Sequence, residues 1–154
     1  MAEKLVVYDS FFGNTAKVAE AVAEAIGGTA KKVSDVEKED LMELKVLFVG
    51  SPTRAFRPTP AIMSWLKSIR GSVDGVKGSV FDTRFPIESA ESGFLRFLIK
   101  LFDYANPKMV KQLTKAGVEI VLEPQGFAVL DSEGPLAEGE LDRAKAWAAG
   151  ILKI

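Results

Sequence analysis

Apolar positions change their spacing along this chain, and each change marks an element. Leu5–Tyr8 is a short apolar run rich in β-branched residues, which reads as a buried strand. Gly13-Asn14 then signals a turn. Between Thr15 and Ile26, Val18, Val22 and Ile26 recur four residues apart with alanine between them. That is an amphipathic helix of high intrinsic propensity, and Gly27-Gly28 stops it. Thr29–Val33 reads as a second, more exposed strand. Lys45–Gly50 is a continuous apolar run and predicts a central parallel strand. Pro60–Ile69 predicts a helix with proline near its first turn. Ser79–Phe81 predicts a fourth strand and Val118–Leu122 a fifth, which Phe127–Leu130 could continue after Pro124-Gln-Gly. Glu138–Leu152 closes as a helix with Leu141, Ala144, Ala148 and Leu152 on one face.

Apolar strands alternating with helices predict an α/β chain with a parallel sheet covered on both faces. Crossovers in such sheets are right-handed. No repeat or linker divides residues 1–154, so a single domain is expected. Ligands in these sheets sit beyond the carboxyl ends of the strands, where strand order reverses. Three loops leave those ends: residues 9–15, 51–58 and 82–88.

Composition narrows the chemistry. The 20 Lys and Arg nearly balance the 21 Asp and Glu, giving a net charge of −1. The basic excess typical of a nucleic-acid binder is missing. Cysteine and histidine are both absent. Disulfides, thiolate metal sites, Cys nucleophiles and Ser-His-Asp arrangements are therefore excluded, and no catalytic or metal-ligating side chain is assigned. Redox chemistry here would need a bound cofactor. Met1 leads almost directly into a strand, so no signal peptide is expected. No apolar stretch is long enough to span a bilayer, and a cytoplasmic location is the default.

The first loop, Asp9-Ser-Phe-Phe-Gly-Asn-Thr15, joins a strand to a helix. A helix start offers unpaired N–H groups and partial positive charge. Gly13 allows a close backbone approach, and Ser10, Asn14 and Thr15 add short polar groups. The loop suits a phosphate held without Lys or Arg. The same residues also serve a plain capped helix after a tight turn. Neither G-x-G-x-x-G after this strand nor a G-x-x-x-x-G-K-S/T segment occurs. A receiver domain would want an acidic pair at Tyr8-Asp9, which supplies one acid.

Tyr8-Asp-Ser-Phe-Phe-Gly-Asn-Thr-Ala-Lys-Val-Ala19 resembles the FMN-phosphate loop of the flavodoxin family, Ser/Thr-x-Ser/Thr-Gly-x-Thr. Ser10, Gly13 and Thr15 match; Phe12 replaces a hydroxyl residue. The resemblance implies a three-layer α/β/α sandwich with a five-stranded parallel sheet in the order 2-1-3-4-5. It also implies one FMN, with Ser10, Phe11, Phe12, Gly13, Asn14 and Thr15 around its phosphate.

Gly50-Ser-Pro-Thr-Arg-Ala-Phe-Arg-Pro58 resembles the flavin-contacting loop of flavodoxins and the G-x-P-T-R-F segment of flavodoxin-like quinone reductases. It implies flavin contacts from Pro52, Thr53, Arg54, Ala55 and Phe56. Phe56 either lies against the ring or packs on the next helix. Phe81-Asp-Thr-Arg-Phe85 is similar to the family's Asp-Ser-x-Tyr loop and implies contacts from Asp82, Thr83, Arg84 and Phe85, with Phe85 in place of the stacking tyrosine.

Arg54, Arg57 and Arg84 fall in the two flavin loops, where low-potential flavodoxins carry acids. A cation near the ring favours its reduced anion, so a less negative potential is expected unless these groups point to water. Gly93–Tyr104 is unusually apolar, with Arg96, Lys100 and Asp103 on one helical face. It reads as a buried helix, as a subunit or partner interface giving a possible homodimer through 93–105, or as a lid admitting an apolar acceptor such as a quinone.

These observations lead to an FMN-binding electron-transfer protein that shuttles electrons between redox partners. Two alternatives stand beside it: an FMN-dependent NAD(P)H:quinone-type oxidoreductase, and a flavodoxin-like interaction module without cofactor.

Overall fold

A computed structural model describes residues 3–53, 57–85, 93, 104–131 and 133–154. The first strand, β1 (Lys4–Tyr8), runs through the helix α1 (Asn14–Ile26) to β2 (Thr29–Lys32). Two short 3₁₀ turns follow, Val33–Asp35 and Lys38–Leu41. Next come β3 (Val46–Pro52), α2 (Pro60–Ser68) and β4 (Lys77–Arg84). The chain ends through α3 (Asn106–Ala116), β5 (Glu119–Ile120), β6 (Gln125–Ala128), α4 (Glu140–Ala149) and a 3₁₀ turn, Gly150–Lys153.

The strands lie parallel in the order β2-β1-β3-β4-β5, the order the resemblance implied. The fifth position is shared. β5 pairs with the start of β4 at Lys77 and Gly78, and β6 pairs with its end from Phe81 to Arg84. Pro124 lies at the break. Proline lacks the N–H that a ladder needs, so the apolar runs on either side form two short strands. The second begins at Gln125, two residues before the predicted Phe127.

Strand alternation divides the core into two layers. Leu5, Val7, Leu47, Val49 and Val80 face α2 and α3, with Ile62, Leu66, Met109 and Leu113 filling that side. Val6, Phe48 and Phe81 face α1 and α4, with Val18, Val22, Ile26, Ala144 and Ala148. Trp147 sits edge-on to Phe48, Phe81 and Phe127, with ring centroids 5.2, 6.2 and 6.0 Å away, and its indole N–H donates to the Glu123 carbonyl.

Three sequence expectations need correction. Leu141 and Leu152 do not share the buried face of the last helix: they are exposed, and Ile151 is buried with Ala144 and Ala148. The second strand stops at Lys32, and Val33 opens a 3₁₀ turn. The fourth strand is longer than Ser79–Phe81, so Asp82, Thr83 and Arg84 are strand residues rather than loop residues. Among the described residues, no helix is long and apolar enough to cross a membrane. The expected apolar helix at 93–105, and the interface or lid built on it, lie almost wholly outside the described residues.

The N-terminus of α4 is tied to β6 through Glu140. Its carboxylate accepts from Ala128 N–H at 2.7 Å and from Arg143 Nε at 2.9 Å. Arg143 above all holds its pKa below the ordinary carboxylate value; burial opposes it, and the Ala128 N–H adds a lesser downward pull. Its contribution is thus full above the unfolded pKa and is lost as pH falls through the folded one. Glu140→Gln is expected to destabilise by about 1 kcal/mol or less at pH 7, Arg143 being half exposed, and to match the parent in acid below both pKa values. Urea unfolding at the two pH values reads the difference.

Candidate functional site

The carboxyl ends of β1, β3 and β4 open onto a cavity of about 450 Å³. That lies within the range of about 300–1,000 Å³ usual for small-molecule and cofactor sites. Its walls are Ser10, Phe11 and Phe12 from the first loop, Asn14 and Thr15 from the start of α1, Pro52 at the end of β3 with Thr53 just after it, and Thr83 and Arg84 from β4 with Phe85 just after it. Val129 and Glu133 complete it.

The first loop is shaped by its own hydrogen bonds. Asp9 Oδ1 accepts from Ser10 N–H at 2.9 Å. Ser10 Oγ accepts from Gly13 N–H at 3.1 Å and Ala16 N–H at 3.4 Å. Those bonds occupy its acceptor positions and leave its O–H to donate. Gly13 stands at φ 88°, a left-handed conformation that glycine adopts without a Cβ penalty. It leads into α1 with no side-chain cap and with no acidic residue in the first turn. The amides of Asn14 and Thr15 open the helix and have no intrahelical acceptor. A compact anion fits such a cradle.

The cradle is braced from two sides. Asn14 Nδ2 donates to the Glu133 carbonyl at 3.0 Å, linking α1 to the loop after β6. Thr15 Oγ1 and Thr83 Oγ1 lie 2.8 Å apart and buried, joining α1 to β4. One of these hydroxyls donates to the other, and the acceptor keeps its own proton to give. Exposed Phe11 and Phe12 stand at the mouth of the cavity, with Phe85 on another wall.

Asp82 is fully buried. It takes a side-on ion pair from Arg84, Nε to Oδ1 at 2.6 Å and Nη2 to Oδ2 at 2.8 Å. It also accepts from Asn106 N–H at 3.2 Å, at the start of α3. Burial pushes its carboxyl up from the ordinary value, while Arg84, Asn106 N–H and the Thr53 hydroxyl pull the other way. Thr53 Oγ1 in turn accepts from Ala105 N–H at 3.0 Å.

Most of the expected site residues thus meet at one cavity: Ser10, Phe11, Phe12, Asn14, Thr15, Pro52, Thr53, Thr83, Arg84 and Phe85. Gly13 shapes the loop behind it. Asp82 supports Arg84 from the interior. Arg54, Ala55 and Phe56 lie outside the described residues. The expectation of three arginines offering charge to a ring is revised: Arg57 is exposed, and Arg84 lines the cavity as half of an ion pair. Sequence reasoning missed Val129 and Glu133. They follow β6, so the rule that ligands lie beyond strand carboxyl ends would have found them had that strand been counted with the other three.

Over 97% of this chain and 96% of the other, the fold superposes on a flavodoxin from the domain Archaea with a TM-score of 0.73 and 19% sequence identity. The fold is flavodoxin-like. A WrbA-like flavodoxin from Agrobacterium tumefaciens superposes with a TM-score of 0.70 at 20% identity, covering 99% of this chain and 96% of that one. In sequence, the chain is 35% identical to a flavodoxin from Aquifex aeolicus (strain VF5) over 98 residues, 54% of this chain. The match spans half the length of that relative. No family model matches the chain. The shared flavodoxin-like architecture puts the cavity at the point where strand order reverses, between β1 and β3.

Proposed function

We propose that this chain binds one FMN in the cavity and carries electrons between redox partner proteins. The observation that carries the reading is the uncapped start of α1 lying at the same cavity as three aromatic side chains, Phe11, Phe12 and Phe85. FMN, when bound, supplies one- and two-electron chemistry that the side chains of this chain do not.

The residues present fit that group. The amides around residues 11–15 and the hydroxyls of Ser10 and Thr15 hold its phosphate. Phe12 contributes no hydroxyl, so the backbone carries more of the grip. Pro52, Phe85 and Val129 exclude water from the ring, and Thr53 and Thr83 offer polar groups beside it. No side-chain acid or base is required for electron transfer.

Titration of the purified protein with FMN and with riboflavin, followed by absorbance and calorimetry, tests this. FMN is expected to bind at least about tenfold more tightly, because charge-assisted bonds to its phosphate each contribute about 1.5 kcal/mol or more. Absence of both heat and spectral change would leave the reading of an interaction module without cofactor.

A second reading rests on Pro52 and Thr53, which line the cavity and belong to the segment resembling quinone reductases. In it, the chain oxidises NADH or NADPH and passes the electrons to a small apolar acceptor such as a quinone. Steady-state turnover with that pair of substrates favours it; electron transfer from a reduced protein partner or to an oxidised one, without such turnover, favours the carrier.

A further inference from the structure

Alternation along β4 puts Asp82 and Arg84 on the same face of the strand, the face that carries Val80 toward α2 and α3. From there the Arg84 side chain folds back along its own strand. Its guanidinium lies over the Tyr104 ring, 3.8 Å from the centroid, and grips Asp82 through two N–H groups. It also passes directly over Gly126 on β6, the residue paired with Asp82 in the sheet. A Cβ at 126 would stand 2.1 Å from Arg84 Nε and 2.3 Å from Cζ. The guanidinium holds its place because position 126 has no side chain.

The pair is oriented as well as fixed. Asp82 is fully buried and lies behind, whereas Arg84 remains 23% exposed and forms part of the cavity wall. Of the two, it is the positive member, Arg84, that lines the cavity. A guanidinium has five N–H donors, and Asp82 takes two. Among the described residues, no acceptor takes the other three. A cation with unspent donors beside a partly enclosed cavity acts more strongly than one in water.

We propose that Arg84, set by Asp82 and seated over Gly126, donates to the electron-rich edge of the flavin ring and makes the site favour the reduced, anionic ring over the oxidised one. Arg84 is the contacting residue; Asp82 and Gly126 are positioning residues that act through it. The inference rests on FMN occupying this cavity. It replaces the simpler idea of several loose cations around the ring with one oriented ion pair.

The test measures, for each protein, the dissociation constant for oxidised FMN and the two-electron midpoint potential of the complex. Arg84→Gln is expected to cut the ratio of reduced-state to oxidised-state affinity at least about tenfold, a potential about 30 mV more negative. Gly126→Ala is expected to shift the potential the same way with every charge retained, because it displaces the guanidinium. Arg84→Lys, which keeps the charge but not the fork, is expected to recover part of the shift. Because Arg84→Gln strands a buried carboxylate and could unfold the chain, the uncharged pair Asp82→Asn with Arg84→Gln repeats the measurement. FMN bound at an unchanged potential in the double variant and in Gly126→Ala overturns the inference and leaves the FMN reading intact. No FMN binding by the parent protein overturns the FMN reading itself, and this inference with it.

Discussion

Gly78→Ala is expected to lower stability by at least about 3 kcal/mol, at the upper end of what forcing extra atoms into a packed interior costs. Gly78 lies on β4, between Leu47 of β3 and Ile120 of β5. A Cβ there would stand 1.8 Å from the Leu47 carbonyl oxygen and 2.9 Å from its carbon. Both are backbone atoms of a central strand, so no rotamer change relieves the clash. The strands must separate, and the ladder bonds nearby are weakened, among them Val121 N–H to Gly78 O at 3.0 Å. Against a typical total stability of about 5–15 kcal/mol, that loss is large. Urea unfolding gives the value directly. Gly150→Ala is the control: its Cβ would meet only Leu122 Cδ2, at 3.4 Å, in a helical backbone. It should leave stability unchanged or raise it by a few tenths of a kcal/mol. Equal effects at 78 and 150 would refute the close-approach argument.

The second large effect concerns the anion cradle. Asn14→Asp keeps the shape of the side chain but brings a carboxylate to the cavity wall. At an effective dielectric constant of about 20, two unit charges about 5 Å apart repel by about 3 kcal/mol. FMN affinity is therefore expected to fall about a hundredfold, while riboflavin, which has no phosphate, keeps its affinity. Stability should change little. The bond from Asn14 to the Glu133 carbonyl is lost, at about 1 kcal/mol, but a carboxylate in the first turn of α1 gains a similar amount from the helix dipole. Parallel titrations of the two flavins decide the matter. An equal loss for both ligands, or none for FMN, would place the phosphate somewhere other than the start of α1.

The fold was largely legible because its signals are local. Leu5, Val6 and Val7 are all apolar because β1 is covered on both faces, and the four-residue spacing of Val18, Val22 and Ile26 gives α1 its buried side. The last helix shows the limit of that reasoning. Ala144 and Ala148 fit two adjoining faces equally well. What chose Trp147 and Ile151 over Leu141 and Leu152 was the aromatic group of Phe48, Phe81 and Phe127, brought in from three different strands.

The site divides in the same way. Ser10, Gly13, Asn14 and Thr15 could be picked out because a turn followed by a helix start is written in consecutive residues. The state of Arg84 could not. Asp82-Thr83-Arg84 is polar, so it looked like the beginning of a loop; α3 and the flanking β6 bury it as strand instead. The amino-acid order by itself determined the alternation of strands and helices, the glycine turn that opens α1 and the dependence on a cofactor for any redox chemistry. Packing between distant segments decided which helix face is buried, how the fifth strand divides and which way the Asp82–Arg84 charge pair points. Desolvation and close contact depend on neighbours in space, and those neighbours are set only when the chain closes on itself.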